Sequence, residues 1–349
     1  MSEQKSRVSD AITLRKGEHY SKRGAFLPVC FAMLGACSTN DIPLLNPVGD
    51  VGADEARLFY ISVTIMAAII IPVILLTFYF AWRYRASGKD KGYDPAFDHS
   101  PVIDGVTLFI PLLTIAVLGG LTWIYTHRLD PYKPRGPDLA PYEIQAISLD
   151  YKWLFIYPEE GVATVNDLVA PTGRPVTLRL TSDPMMTSIF IPGLISQIYA
   201  MPGMETRANF LADRQAILQG SNAMYSGPGF EHQRFKARMV APEDFESWVY
   251  QVKSGAGSGS GGANRHEAVL DKARLAALVK RSENNPVTWF AAVEPGLFEG
   301  SVQKYMPHYS MKPLPSRSQY DGKMHVRETA GDAVDAHSPE HMQTASEGG

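Results

Sequence analysis

Residues able to bind a metal or act as nucleophiles are few in this chain. Among its 349 residues there are two cysteines, Cys30 and Cys37, both near the N-terminus. The stretch LQGSNAMYSGPGFEH, Leu218 to His232, has the Gly-rich composition of a binding loop between two strand-like runs. It contains no Cys, and its only His is its last residue. The pattern therefore predicts neither a disulfide framework nor a zinc site.

Two further features narrow the functional classes. The formal net charge of -3 provides no basic patch, so nucleic acid is not an expected partner. From Lys312 the chain is polar, and we expect residues 312–349 to form a disordered, solvated tail. Three histidines in that tail could bind adventitious metal, but a solvated tail is the favoured interpretation: His325, His337 and His341.

The N-terminus resembles an export signal with a lipid-attachment site. Basic residues precede a short apolar run that ends in Leu-Gly-Ala-Cys at Cys37. A positive segment, an apolar segment and small residues before a cleavage site are typical of signal peptides. The sequence resembles the lipobox of bacterial lipoproteins, and the alternative is a chance L-x-x-C. We expect residues 1–36 to be the signal peptide and Cys37 to carry the lipid anchor. Residues 37–57 would then lie in the periplasm.

Two long apolar runs predict a transmembrane hairpin over residues 58–127. Leu58–Trp82 has 25 residues without a charge, and Val106–Thr126 has 21. Each can cross about 30 Å of hydrocarbon. Four basic residues, Arg83, Arg85, Lys89 and Lys91, follow the first run, which places the loop 83–100 in the cytoplasm. Both ends of the hairpin, and with them both chain termini, are then expected in the periplasm.

Beyond the hairpin, short alternating runs predict an all-β sandwich over residues 128–253. The predicted strands are 142–150, 153–158, 175–182, 188–192, 206–212 and 235–241. Residues 254–264 have the composition of a Gly/Ser linker. A helical, aromatic-rich region is predicted over 265–311, with a helix at 266–282 and amphipathic structure at 289–306. The expected fold class is an α+β membrane protein.

Several motifs resemble subunit II of bacterial haem-copper terminal oxidases, and specifically the ubiquinol oxidase branch, the cytochrome bo type. They are FAWRYRASGKD (80–90), THRLDPYKP (126–134), KWLFIYPEEGVATVN (152–166), TSDPMMTSIFIPGLISQIYAMPGMETR (181–207), YSGPGF (225–230) and VEPGLF (293–298). The resemblance implies a protein of the bacterial inner membrane with a cupredoxin-like domain in the periplasm. It also implies that subunits I, III and IV are partners, and that the haems, the copper and the ubiquinol site belong to subunit I.

The cytochrome c oxidase branch of that family has a dinuclear copper centre in this domain, which needs two bridging thiolates with His and Met ligands. The resemblance aligns those ligand positions with residues that cannot supply them. We therefore expect vestigial, non-binding positions and no metal or other cofactor in this chain: Thr187, Asn222, Met224, Ser226, Phe230 and Gln233.

The leading hypothesis is a non-catalytic, structural subunit of a proton-pumping ubiquinol oxidase, without catalytic residues and without a cytochrome c port. An aromatic run is expected to pack in the core and at the subunit I interface: Tyr151, Trp153, Phe155 and Tyr157. Two alternatives remain open. One is a copper-less relative of cytochrome c oxidase subunit II, and the other is a membrane-anchored lipoprotein that acts as an assembly or binding module.

Overall fold

The structure, a computed structural model, describes residues 42–85, 99–136, 139–255 and 265–308. The chain divides into two compact units, Met1–Asn46 and Pro47–Gly349. The described part of the first unit is a short turn at residues 42–46. Several predicted features lie outside the described residues: the signal peptide with Cys37, most of the loop 83–100 and of the linker 254–264, and the tail 312–349.

Two long helices form the hairpin: α1, Asp50–Arg83, and α2, Pro101–Arg128. Both are long and apolar enough to cross a membrane, which confirms the two predicted spans. At 1.5 Å per residue, the 34 residues of α1 extend about 50 Å, well beyond the 30 Å hydrocarbon layer. The excess lies at the N-terminus, where the first two turns are buried on the rest of the unit.

The extramembrane part is a sandwich of two sheets. In chain order the strands are β1 Tyr142–Leu149, β2 Lys152–Tyr157, β3 Val162–Val165, β4 Asp167–Pro171, β5 Pro175–Ser182, β6 Thr187–Ile191, β7 Ile195–Ala200, β8 Thr206–Leu211, β9 Ala216–Asn222, β10 Arg234–Val240, β11 Arg265–Leu270 and β12 Thr288–Val293. One sheet has the order β11-β12-β3-β2-β1-β5-β8, and the other β4-β10-β9-β6-β7. Three shorter helices complete the fold: α3 Pro242–Ser254, α4 Lys272–Val279 and α5 Leu297–Gln303.

The larger sheet is buried on both faces. Its inner face contributes Trp153 and Phe155 to the core between the sheets. Its outer face contributes Leu154 and Ile156 to a second core, which α4 and α5 cover. Each fully buried large side chain adds about 2 kcal/mol of hydrophobic stabilisation. This double burial explains why β2 is a continuous apolar run, whereas a strand with one wet face alternates.

The predicted start of the C-terminal helix is wrong. The predicted helix 266–282 begins as strand β11, and the helix α4 starts only at Lys272. The region also completes the larger sheet, because β12 pairs with both β11 and β3. The run HEAVL has helix-forming residues, but pairing with β12 overrides that local preference.

Two other elements differ from expectation. The first five residues of the expected loop, Leu218–Asn222, belong to β9, so the connecting loop is residues 223–229. A 3-10 turn, Phe230–His232, follows. The helix α3 is the second difference, and its start carries a sequence signal, with Pro242 in the first turn and Glu243 after it. Acidic residues in a first turn favour a helix because they oppose its dipole.

Candidate functional site

The expected vestigial ligand positions lie at one end of the smaller sheet. Asn222 ends β9, and Thr187 begins the neighbouring antiparallel strand β6. The loop 223–229 and the 3-10 turn return the chain to Gln233, which immediately precedes β10. Antiparallel pairing therefore brings residues that are distant in sequence to the same end of the sheet.

Asn222 is the centre of a buried hydrogen-bond network. Its Oδ1 accepts hydrogen bonds from the backbone amides of Ser188 and Met224, both at 3.0 Å. Its Nδ2 donates to Ser226 Oγ and to Gln233 Oε1, also at 3.0 Å each. An amide side chain has two donors and two acceptor sites, so its bonding capacity is used in full. We call Asn222, Ser226 and Gln233 the amide cluster.

Gln233 extends the amide cluster to the opposite sheet. Its Nε2 donates to Ser148 Oγ at 2.8 Å and to the carbonyl oxygens of Leu149 and Lys152 at 3.2 and 3.3 Å. The side chain is 1% exposed, so water does not compete for these bonds. The two amides therefore connect the sheets at this end.

The other three expected positions contribute less. Thr187 is buried, and its hydroxyl has no hydrogen-bond partner among the described residues. Met224 joins the network through its backbone amide alone. The Phe230 ring packs edge-on against Tyr225, with ring centroids 5.2 Å apart. The structure thus brings Asn222, Ser226 and Gln233 into direct contact, with Met224 and Thr187 beside them.

The donor set does not fit a dinuclear copper centre. Such a centre needs thiolate and imidazole ligands, and the six side chains here are Thr, Asn, Met, Ser, Phe and Gln. The Asn222 oxygen is already committed to backbone amides. Across the described residues, no group of three or more His, Cys, Asp or Glu side chains is placed to hold a metal ion.

The aromatic run occupies the interior, and its predicted contact with subunit I needs correction. Trp153, Phe155 and Tyr157 have no exposed surface and pack in the core between the sheets. The Tyr157 hydroxyl accepts a hydrogen bond from the Val169 amide at 2.8 Å, and burial raises the pKa of that hydroxyl. Side chains without exposed surface cannot touch another subunit, so these three stabilise the domain from inside.

Tyr151, the first aromatic of the run, supports the loop 223–229 instead. Its backbone adopts φ +60°, and its ring packs under Gly229. Its hydroxyl donates to the Ser226 carbonyl oxygen at 3.4 Å. The Arg281 guanidinium lies 5.1 Å from the ring centroid, a cation–π distance. Tyr151 is 2% exposed, so it too faces inward.

Lys152 is a buried charge that sequence reasoning missed. Its ammonium donates to the carbonyl oxygens of Asp150 at 3.0 Å, Leu278 at 2.8 Å and Lys280 at 2.9 Å. The last two lie at the C-terminus of α4, where helix carbonyls lack intrahelical partners. Burial lowers the pKa of Lys152 to about 8. The available signal was a lysine directly before an apolar strand.

Two ion-pair groups attach α5 to the sandwich. Lys304 Nζ lies 2.9 Å from both carboxylate oxygens of buried Asp183, and the Tyr305 hydroxyl donates to the same group at 2.6 Å. Arg179 pairs with Glu205 and Glu143 beneath the Phe298 ring. Burial opposes the Arg179 charge, but the two carboxylates outweigh it and raise the pKa of the guanidinium.

Strand β7 leads from the hairpin contact to the end of the sandwich that holds the amide cluster. Gly52 of α1 packs on Gly193, and Glu55 bonds Ser196 near the start of β7. Strand β7 ends at Ala200, opposite Thr187. The hairpin contact and the amide cluster therefore lie at opposite ends of this strand.

Exposed apolar side chains lie on the loops at the amide-cluster end of the sandwich. The loop 201–205 contacts Tyr305 and Met306, Tyr305 bonds Asp183, and the Ala223 amide donates to the Ser188 carbonyl oxygen. We call this surface the apolar end, and its exposed apolar side chains are Met204, Tyr225, Tyr305 and Met306. Clustered exposed apolar groups mark contact surfaces more often than isolated ones do.

The chain is similar to a known family model over part of its length and to known proteins over most of it. The family model described as COX Aromatic Rich Motif matches residues 266–309, from β11 past α5. Cytochrome bo(3) ubiquinol oxidase subunit 2 of Pseudomonas aeruginosa is 44% identical over 280 residues, which cover 80% of each chain. The Pseudomonas putida protein of the same name is 45% identical over 262 residues, covering 75% of this chain and 80% of the relative.

A third relative, ubiquinol oxidase subunit 2 of Acetobacter aceti, is 40% identical over 275 residues, or 78% of this chain and 85% of the relative. These similarities confirm the resemblance that the sequence motifs indicated. With its two apolar helices, its sandwich and its aromatic-rich C-terminal motif, the chain belongs to the subunit 2 family of cytochrome bo(3)-type ubiquinol oxidases.

Proposed function

We propose that this chain is a non-catalytic, structural subunit of a proton-pumping ubiquinol oxidase. In that reaction two quinols release four electrons and four protons, and one oxygen molecule becomes two waters. The observation that supports this role is the amide cluster. At the place where the copper-bearing branch has its ligands, neutral side chains bond one another instead. None of these side chains can change its oxidation state.

A copper-free domain is the first testable part of the proposal. The full chain, expressed without its partners and purified in detergent, should contain less than about 0.1 copper per chain by elemental analysis, because it lacks the thiolates that hold a copper pair. Two copper ions per chain would contradict the proposal. No described observation favours the copper-less cytochrome c oxidase alternative.

The partners follow from the same role. Subunit I would carry the haems, the copper and the ubiquinol pocket, with subunits III and IV completing the complex. Ubiquinol would reach subunit I through the lipid, so no cytochrome c would dock on this chain. A tag on this chain should recover haem together with a polytopic partner. A stand-alone assembly module would purify without haem.

Membrane anchorage is proposed to have two parts, the hairpin and a lipid on Cys37. The hairpin would cross the bacterial inner membrane with its loop in the cytoplasm and both termini in the periplasm. Radioactive palmitate should label the wild type and Cys30→Ala, whose substitution falls within the signal. The label should be absent from Cys37→Ala, and persistent labelling of that variant would rule out the anchor.

We further propose that the apolar end docks on subunit I. Two tyrosines allow a matched test, since Tyr225 of the apolar end is 70% exposed and Tyr250 of α3 is 72% exposed. Tyr225→Ser should reduce the chain recovered with haem several-fold, because exposed aromatics at an interface centre carry much of the binding energy. Tyr250→Ser should leave recovery unchanged. Equal behaviour of the two variants would contradict the docking surface.

A further inference from the structure

The first two turns of α1 pack on the sandwich rather than in the lipid-spanning part of the helix. Val51, Gly52, Asp54 and Ala56 are buried, whereas the rest of α1 carries no buried residue. At its start the chain is also held by backbone bonds, with the Val48 amide donating to the Gly193 carbonyl oxygen at 2.8 Å. We call this contact the joint.

Gly52 allows the closest approach in the joint. A Cβ atom at this position would overlap the backbone of Gly193, including its carbonyl oxygen. The Gly193 carbonyl oxygen accepts hydrogen bonds from the Val48 and Gly49 amides, at 2.8 and 3.4 Å, so its backbone cannot easily move aside. A helix-interior glycine lowers helix stability by about 1 kcal/mol relative to alanine. The close contact with Gly193 explains why glycine is nevertheless suited to this position.

Three acidic side chains fix the same turns. Asp50 accepts a hydrogen bond from the Leu211 amide at 3.2 Å and pairs with Arg135 at 3.4 Å. Glu55 bonds the hydroxyl of Ser196. Asp54 is buried and lies 2.6 Å from Arg128, the last residue of α2. The joint therefore holds both helices of the hairpin.

The exit of α2 is attached to the same edge of the sandwich. The Pro131 carbonyl oxygen accepts two hydrogen bonds from Asn209, from the backbone amide at 3.1 Å and from Nδ2 at 3.0 Å. A small cavity of about 30 Å³ lies between the hairpin and the sandwich. That volume has room for about one water molecule.

We propose that Gly52 and Asp54 are positioning residues: they fix the angle between the hairpin and the sandwich, and so hold the apolar end against its partner. The inference rests on the proposed docking function. Six-residue strand β7 extends about 20 Å, so a small rotation at the joint moves the apolar end by several ångströms. Close packing at the joint thus controls a contact made elsewhere.

The first test compares two helical glycines in the intact complex. Gly52→Ala should reduce the chain recovered with haem at least fivefold, because its Cβ meets the Gly193 backbone. Gly300→Ala, in α5, is the matched control, since a Cβ there meets nothing within 4 Å. If Gly52→Ala is recovered as well as Gly300→Ala, the proposal is overturned. It is also overturned if Gly52→Ala lowers the unfolding temperature of the sandwich by more than a few degrees.

The second test uses the ion pair between buried Asp54 and half-exposed Arg128. Asp54→Arg and Arg128→Asp should each reduce recovery with haem, because each places two like charges together. The double variant should restore at least half of the wild-type recovery. A double variant as poor as the single ones would show that the pair does not position the domain.

A distance measurement separates this inference from the docking proposal. Spin labels at Tyr84→Cys and Tyr250→Cys, in a Cys30→Ser background, report the hairpin-to-sandwich distance in the full chain alone in detergent. The distance should be narrowly distributed in the wild type and at least twice as broad in Gly52→Ala. Distance distributions of equal width would overturn the proposal that the joint fixes the angle. Failure of the wild type to recover haem would overturn the docking proposal only.

Discussion

The amide cluster and the Lys152 site lie side by side, yet they connect the fold by opposite means. The amide cluster is neutral, and the hydrogen-bonding groups of Asn222 are all paired. The Lys152 site places one ammonium among three carbonyl oxygens, and no carboxylate of the described residues forms an ion pair with it. Gln233 donates a hydrogen bond to the Lys152 carbonyl oxygen, so the two sites meet at the first residue of β2. The neutral network does not titrate, whereas the buried lysine makes the stability of the fold depend on pH.

The largest effect is expected from Lys152→Met. The change leaves two C-terminal carbonyls of α4 without a donor and should lower the free energy of unfolding by about 3 kcal/mol. Urea unfolding followed by tryptophan fluorescence measures it. Lys236→Met, on an exposed position of β10, is the control and should be neutral. An unchanged midpoint for Lys152→Met would mean that the ammonium adds nothing.

Asn222→Ala should cost less, about 2 kcal/mol. It leaves the Ser188 and Met224 amides and the Gln233 oxygen unpaired, but every group left behind is neutral. Gln219→Ala, an exposed position on the same strand, is the control. If Asn222→Ala proved more damaging than Lys152→Met in the same urea titration, the ranking of neutral and charged connections would be reversed.

The pH dependence should separate the two sites. The folded-state pKa of Lys152, about 8, lies below its ordinary value of 10.5. Between these values the unfolded chain holds the proton that the folded chain has lost, so stability rises with pH in this window. The wild type should gain up to about 1 kcal/mol per pH unit over Lys152→Met.

The same titration contains its own control. The difference between the wild type and Asn222→Ala should stay constant from pH 8 to pH 10, because no member of the amide cluster titrates there. Parallel curves for the wild type and Lys152→Met would show that the lysine keeps its proton throughout, held by its three carbonyl partners.

The smallest effect is expected at Thr187. Its buried hydroxyl has no partner among the described residues, so Thr187→Val keeps the shape and removes an unpaired polar group. The variant should be about 0.5 kcal/mol more stable than the wild type. Ser226→Ala, which removes a bonded hydroxyl, should shift the urea midpoint in the opposite direction. A destabilised Thr187→Val would reveal a bond to that hydroxyl.

The membrane spans and the sandwich were predictable from the sequence because their signals are local. Twenty or more charge-free residues can be read directly, and PVTLRLTS was placed at its observed bounds, Pro175–Ser182. Strand β11 was not predictable in this way, because Ala and Leu favour a helix and only the distant β12 makes HEAVL a strand. The helix α3 was within reach, since Phe245, Trp248 and Val249 follow its acidic first turn.

The candidate site was predictable in position but not in chemistry. The family resemblance located Asn222 and Gln233, yet nothing local in the sequence reveals that their amides meet. The predicted contact of the aromatic run with subunit I was wrong because sequence alone does not distinguish two kinds of apolar strand. A strand buried on both faces within its own domain has the same composition as a strand with one apolar face at a subunit interface. The role of Lys152 was not predictable because two of its three carbonyl partners lie more than a hundred residues away.

Strand β12 has a consequence for how the chain is made. It pairs with β3, whose sequence precedes it by more than a hundred residues, and fills the place between β3 and β11. Synthesis proceeds from the N-terminus, so one side of β3 stays unpaired while the intervening residues are added. An unpaired edge is where chains pair wrongly with one another. The C-terminal motif therefore completes the larger sheet. A chain that lacks this motif keeps an unpaired strand edge at β3 and is prone to aggregate.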